Sequence, residues 1–135
     1  MNNKVKRNGA LILAGIVLLF TGACRNSSGA YKTISAEEAY QLMKKSKNHI
    51  LLDVRTEAEF RGRHIEGAML IPDSELEKRA ASELPDKTAV ILVYCASGKR
   101  SANAAKLLAE KGYARVYDFG GIKDWPYETV SGNAF

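Results

Sequence analysis

Cys95-Ala96-Ser97-Gly98-Lys99-Arg100 places a thiol, a glycine and two cations in one short stretch. The apolar run Ala89-Val90-Ile91-Leu92-Val93-Tyr94 precedes it. That run is rich in β-branched residues and bounded upstream by Pro85-Asp86-Lys87, a pattern that predicts a buried strand. Residues 101–111 are rich in Ala and Leu and stop at Gly112, which predicts a helix. A cysteine is thereby expected at the end of a strand, with a short Gly-containing loop and two cations leading into a helix N-terminus. The free N–H groups and the positive dipole end of a helix start favour an anion there. The same field lowers the pKa of a thiol and holds the sulfur as a nucleophilic thiolate, to which Lys99 and Arg100 add positive charge. A lone cysteine after an apolar run is commonly a small buried hydrophobe, but a packed core position needs neither Gly98 nor paired cations.

Spacing narrows the chemistry. Cys95 and Arg100 enclose four residues, a smaller ring of amides than the Cys-x5-Arg loop that cradles a phosphoryl group in cysteine phosphatases. The smaller ring suits one extra sulfur atom on the cysteine, a persulfide. Arg100 at a helix start opposes the dipole, a placement that makes sense if its side chain turns back onto loop carbonyls or an anion.

These residues resemble the active loop of a single-domain rhodanese, a sulfurtransferase: the pattern Cys-x-x-Gly-x-Arg-Ser is met by Cys95, Gly98, Arg100 and Ser101. A second family signature is similar to Leu52-Asp53-Val54-Arg55-Thr56-Glu57-Ala58-Glu59-Phe60, continuing through Gly62-Arg63-His64-Ile65-Glu66-Gly67-Ala68 to Ile71-Pro72. A third is Gly112-Tyr113 followed by Val116, Gly120-Gly121-Ile122 and Trp125. Leu70 stands where the family usually has Asn. The resemblance implies a single α/β domain, with a mostly parallel central sheet and helices on both faces. It implies Cys95 and Arg100 as catalytic residues, with Ala96, Ser97, Gly98, Lys99 and Ser101 binding the substrate, and Asp53 and Arg55 shaping and charging the pocket. A donor such as thiosulfate would load Cys95, and a thiol or cyanide would unload it, with no metal or organic cofactor. A phosphatase or arsenate reductase of the same fold, and a non-catalytic sulfur carrier or binding module, are the alternatives. The loop spacing disfavours the phosphatase, the lack of a second thiol the reductase, and the intact Cys95 the binding module.

The elements that must position this loop follow from the rest of the chain. Residues 31–34 read as a short edge strand; Ser35 and Glu38 form a Ser-x-x-Glu capping box ahead of a helix. Residues 49–54 read as a continuous buried strand, 56–60 as a short helix, 68–71 as a short strand, 73–80 as a helix and 115–119 as a last strand. Strands alternating with helices imply a parallel sheet covered on both faces, with ligands at the carboxyl ends of the strands. Asp53 and Cys95 fall at or just before such ends. A structural ion pair is the plainer reading of Asp53 and Arg55, because an unpaired charge there is costly. His64 lies in what resembles a structural turn, and a preformed thiolate needs no base. His49 reads as a surface residue and Trp125 as a packing lid.

The N-terminus reads as a targeting device. Lys4, Lys6 and Arg7 precede an apolar stretch over residues 10–20, too short to span a bilayer comfortably but right for a signal peptide. Thr21-Gly22-Ala23-Cys24 resembles a bacterial lipobox, with Thr21 where Leu is usual. The expected organisation is a lipoprotein signal peptide over residues 1–23, a lipidated Cys24 with a polar tether to residue 30, and a domain over residues 31–135, exported and held at the bacterial cell membrane. Cys95 is then the sole thiol of the exported protein, so no intramolecular disulfide and no cysteine-rich metal cage can form. The chain of 135 residues carries a formal charge of +5, and loss of Lys4, Lys6 and Arg7 leaves +2. Basic residues are not interleaved with aromatics, which argues against nucleic acid as a partner.

Overall fold

The computed structural model describes residues 30–133; the expected signal peptide and Cys24 lie outside the described residues. Strand β1 (Lys32–Thr33) leads into α1 (Ala36–Lys45), whose Ser35 cap and Glu38 form the expected reciprocal capping box. Strand β2 (His49–Asp53) is followed by α2 (Glu57–Gly62), which opens on a second capping box, between Thr56 and Glu59. Then come β3 (Met69–Leu70), α3 (Asp73–Glu83), β4 (Val90–Cys95), α4 (Lys99–Glu110), β5 (Arg115–Gly121) and a short 3₁₀ turn, Ile122–Asp124. Helix α4 begins two residues earlier than its composition suggests, so Lys99 and Arg100 lie inside its first turn rather than ahead of it. Strand β5 runs on through Gly120 and Gly121, two glycines that propensity alone would exclude from a strand.

All five strands are parallel, in the order β1-β5-β4-β2-β3. The fold is the expected α/β arrangement. The middle strand β4 and its neighbour β2 are buried on both sides, which is why their sequences are continuously apolar rather than alternating. Leu52, Ile91, Val93 and Cys95 face one core with Leu76, Ala80 and Leu108 of α3 and α4. Leu51, Leu92 and Tyr94 face the other, with Ala39 of α1, Phe119, Ile122 and Trp125. Trp125 packs against Phe119 and Tyr40 and so closes the second core, as expected of a packing lid.

Parallel strands put all carboxyl ends on one edge of the sheet. Asp53 ends β2 and Cys95 ends β4, so the functional loops gather there. The register slips between Val93 and Cys95, where β4 pairs Cys95 with Gly121 of β5. That irregularity releases Cys95 from the regular ladder and begins the loop.

Leu92 is fully buried in the middle strand of the sheet. Leu92→Ala is expected to destabilise the fold by about 2–5 kcal/mol through lost burial and a residual cavity, measured as a lower urea midpoint with an unchanged slope.

Candidate active site

The loop after β4 is a tight cradle around one sulfur atom. Cys95 is only 1% exposed, yet its Sγ accepts a hydrogen bond from the Gly98 amide at 2.9 Å. Gly98 reaches this position with φ of +107°, in the left-handed region that favours glycine. A second glycine is required by space. A Cβ on Gly121 would lie 2.2 Å from the Ala96 carbonyl oxygen, so β5 and the loop could not approach so closely with any side chain there. The same contact is tied by the Lys123 amide, which donates to the Ala96 carbonyl at 3.4 Å. Ser101, fully buried in the first turn of α4, sits within hydrogen-bond reach of the Gly98 carbonyl at 3.0 Å and the Gly120 carbonyl at 3.3 Å.

Burial pushes the Cys95 thiol up, but the Ser101 hydroxyl and amide, followed by the Gly98 and Ser97 amides, favour the anion, and the balance lies below the usual thiol range. Helices α1, α2 and α3 carry acidic residues in their first turns, whereas α4 carries none and opens with Lys99 and Arg100. Of the helix starts on this edge, the one beside Cys95 is the one arranged for a negative ligand.

The expected site residues divide into groups. Ser97, Gly98 and Ser101 converge on the sulfur. Ala96 serves the cradle through its carbonyl, as the contact with Gly121 and Lys123. The Lys99 side chain is exposed. Arg100 does not turn back onto loop carbonyls: its guanidinium makes a two-pronged ion pair with Glu59, at 2.9 and 2.8 Å. It remains close enough for a Cys95 thiolate to help hold its own charge. Glu59 was not singled out by the sequence reading. Its carboxylate also accepts from the Thr56 amide at 3.0 Å and the Thr56 hydroxyl at 2.9 Å. The Arg100 pair and these bonds hold Glu59 down at about 2.

Asp53 and Arg55 form a buried ion pair at 2.7 Å, and Arg55 also donates to the Arg63 carbonyl at 2.6 Å. Their side chains brace the β2–α2 turn. His64 is buried, stacked on Phe60 and bonded through Nδ1 to the Phe60 carbonyl at 2.8 Å, a structural arrangement. His49 is half-buried rather than on the surface, because its Nδ1 reaches the Ser46 carbonyl at 2.6 Å. No group of His, Cys, Asp and Glu among the described residues has the arrangement of a metal site. Leu70, where the resemblance led one to look for Asn, ends β3 and lines a cleft of about 670 Å³ with Phe60, Pro72 and Arg79. No residue of the Cys95 loop lines that cleft.

The whole sequence from the cap of α1 to Tyr127 matches the rhodanese-like domain family, over residues 35–127. The chain belongs to that family. It is 38% identical over 81 residues to thiosulfate sulfurtransferase PspE of Escherichia coli K12, covering 60% of this chain and 78% of the relative. It is 36% identical over 96 residues to thiosulfate sulfurtransferase GlpE of Coxiella burnetii, covering 70% and 87%. A solved rhodanese with anions from E. coli is 37% identical and superposes with a TM-score of 0.59, covering 62% of this chain and 99% of that one. This rhodanese-like domain therefore has single-domain sulfurtransferases among its relatives, and its loop after β4 is a compact anion cradle around a thiol.

Alkylation of Cys95 by iodoacetamide, followed against pH, is expected to show a midpoint below that of a free cysteine. Ser101→Ala should move it upward, because the thiolate loses a donor and keeps its burial. Glu59 titrates on another scale. Its folded pKa is depressed, so the Arg100 pair is fully ionised above the ordinary carboxylate range of about 4.3 and opens only as pH falls toward 2. Donor KM should show no break from this pair between pH 5 and 8, whereas Glu59→Gln should raise KM throughout.

Proposed function

We propose that this rhodanese-like domain is a sulfurtransferase that carries sulfur as a persulfide on Cys95. The observation that carries the reading is the Gly98 amide pointing at a buried Sγ at 2.9 Å, at the head of a helix that begins with two cations. In the first step the Cys95 thiolate attacks the outer sulfur of thiosulfate. A new S–S bond forms, the old one breaks, and sulfite leaves with the bonding pair. In the second step cyanide or a thiolate attacks the outer sulfur of the persulfide, giving thiocyanate or a new persulfide and returning the Cys95 thiolate. No net oxidation occurs and no proton need move, so neither a general base nor a metal is called for. This is double displacement, and ping-pong kinetics are expected.

Each residue has a distinct part. The amides of Ser97, Gly98 and Ser101 stabilise the sulfur anion before and after transfer. Arg100, held by Glu59, and Lys99 attract the doubly charged donor. Asp53 and Arg55 support the edge on which the loop rests. The N-terminal pattern supports a lipoprotein reading, in which fatty acid on Cys24 holds the domain at the outer face of the cell membrane.

Incubation with thiosulfate should add the mass of one sulfur atom to the Cys95 peptide, reversible by cyanide, and Cys95→Ser should lose turnover. An unchanged rate in Cys95→Ser would end the proposal. Arg100→Ala should also lose activity, and Lys99→Ala should mainly raise donor KM. One Gly inserted between Gly98 and Lys99 should cut sulfur transfer sharply, since the amides would no longer converge. Turnover of an aryl phosphate by the unmodified protein would instead favour the phosphate-cradle alternative. Labelling with a radioactive fatty acid should mark wild type and not Cys24→Ala.

A further inference from the structure

The two edges of the sheet differ in charge, and the chain enters at one of them. Because every strand is parallel, the strands begin, and the connected helices end, on the edge opposite Cys95. That amino-end edge presents Lys32, Lys45, Lys47, Lys87 and Arg115, all exposed. Among the described residues none of these five is within ion-pair distance of a carboxylate. The carboxylates nearby are spoken for or few. Glu83 is held by Arg79 and Glu110 by Lys106, which leaves Asp86 near Arg115. The carboxyl-end edge differs: Glu37, Glu38 and Asp73 stand at the starts of α1 and α3, while Glu57, Glu59 and Glu75 are paired with Arg61, Arg100 and Arg79.

Complementing helix dipoles accounts for the acids and for Lys45 at the end of α1. It also accounts for Lys87, whose ammonium donates to the Lys111 carbonyl at the end of α4 at 2.6 Å; it does not account for Lys47, which lies in a connection, or for Lys32 and Arg115, which lie on strands. Lys87 and Arg115 donate to the neutral carbonyls of Lys111 and Thr88 and keep their charge unneutralised, so the row of cations across strand starts and connections is an electrostatic surface facing a common plane.

The position of the chain's entry says what that plane is. Lys32 pairs with Tyr117, so Ala30, two residues upstream, leads in from the edge where β5 starts at Arg115. Between Cys24 and this point the chain supplies residues 25–30, among them Arg25, with a reach of at most about 20 Å. We propose that the basic edge is a docking surface for an anionic lipid bilayer, so that the domain stands on the membrane with the Cys95 loop directed away into the aqueous phase. The anchoring geometry rests on the lipoprotein reading above; the charge separation does not. The lipid on Cys24 supplies the attachment, and a basic patch beside the tether decides which edge of the domain faces an anionic surface. The donor and acceptor are then water-borne solutes or soluble proteins, not lipid-embedded carriers.

Amine footprinting of the full chain tests this. The chain is held on vesicles of phosphatidylglycerol with phosphatidylcholine, or of phosphatidylcholine alone, and each lysine's acetylation rate is read by mass spectrometry. On the anionic vesicles Lys45, Lys47 and Lys87 should be modified at least fivefold more slowly than on neutral ones, with Lys99 and Lys123 unchanged. Lys45→Glu/Lys47→Glu should remove that protection of Lys87 while leaving thiosulfate turnover as in wild type. Equal rates on both vesicles, or protection of Lys99 and Lys123 instead, would overturn the proposal. So would protection of the basic edge by an oligonucleotide but not by phosphatidylglycerol, which would assign the surface to nucleic acid. The mass of the N-terminal peptide is read in the same spectra. An unlipidated peptide with charge-dependent protection retained would refute the lipoprotein reading alone.

Discussion

A sulfur anion removed from water must find its solvation in the protein, and the architecture around Cys95 is organised by that demand. At 1% exposure the sulfur has lost its water, and burial by itself drives the thiol toward the neutral form. Only N–H and O–H groups brought within contact reverse the balance, and three neighbouring residues supply them. Their convergence needs a loop that doubles back within a few residues, hence the left-handed Gly98. It also needs the loop to lie against β5 at a separation no side chain permits, hence Gly121. The register slip between β4 and β5 sits at this point. The β4–β5 ladder is regular through Val93 and shifts before Cys95.

The second constraint is to keep a cation at the mouth without letting it collapse into the cradle. In the proposed reaction, Arg100 directed at Sγ would neutralise the nucleophile and occupy the place of the donor. Glu59 prevents this by taking two of the guanidinium's N–H groups, while Thr56 fixes the carboxylate from behind. Both partners are about a third exposed, so solvent screens the attraction and the pair adds little to stability. What it supplies is direction. It also ties the start of α2 to the start of α4, elements that come from different connections of the sheet.

Much of this was legible in the sequence, and the exceptions have physical causes. Continuous apolar runs marked β2 and β4, Ser35 and Glu38 marked the head of α1, and strand-helix alternation fixed the parallel sheet. The Cys95 loop could be placed because thiol, glycine, cations and helix follow one another within a few residues. Glu59 escaped because its partner is 41 residues away, and local spacing carries no trace of such a pair. Its capping pattern with Thr56 was readable, since it repeats that of Ser35 and Glu38, but a cap alone does not point to a site. For the same reason the expectation for Arg100, loop carbonyls or an anion, could not name the Glu59 carboxylate as its partner. The need for Gly121 arises from a backbone approach across two strands, which leaves only an unexplained Gly-Gly pair in the sequence.

In the proposed reaction the cradle also decides which sulfur reacts. A persulfide offers two electrophilic atoms, and attack on the inner one would leave the acceptor bound to Cys95 and waste the transferred sulfur. The inner atom is Sγ, buried and ringed by backbone, where a nucleophile lacks a line of approach. The outer atom stands about 2 Å further along the S–S bond and is the first that an acceptor meets. Its departure leaves the Cys95 thiolate, and a thiol whose pKa is depressed is the faster leaving group. The donors that ready the thiolate to attack therefore also ready it to leave, so one arrangement of amides serves both halves of the exchange.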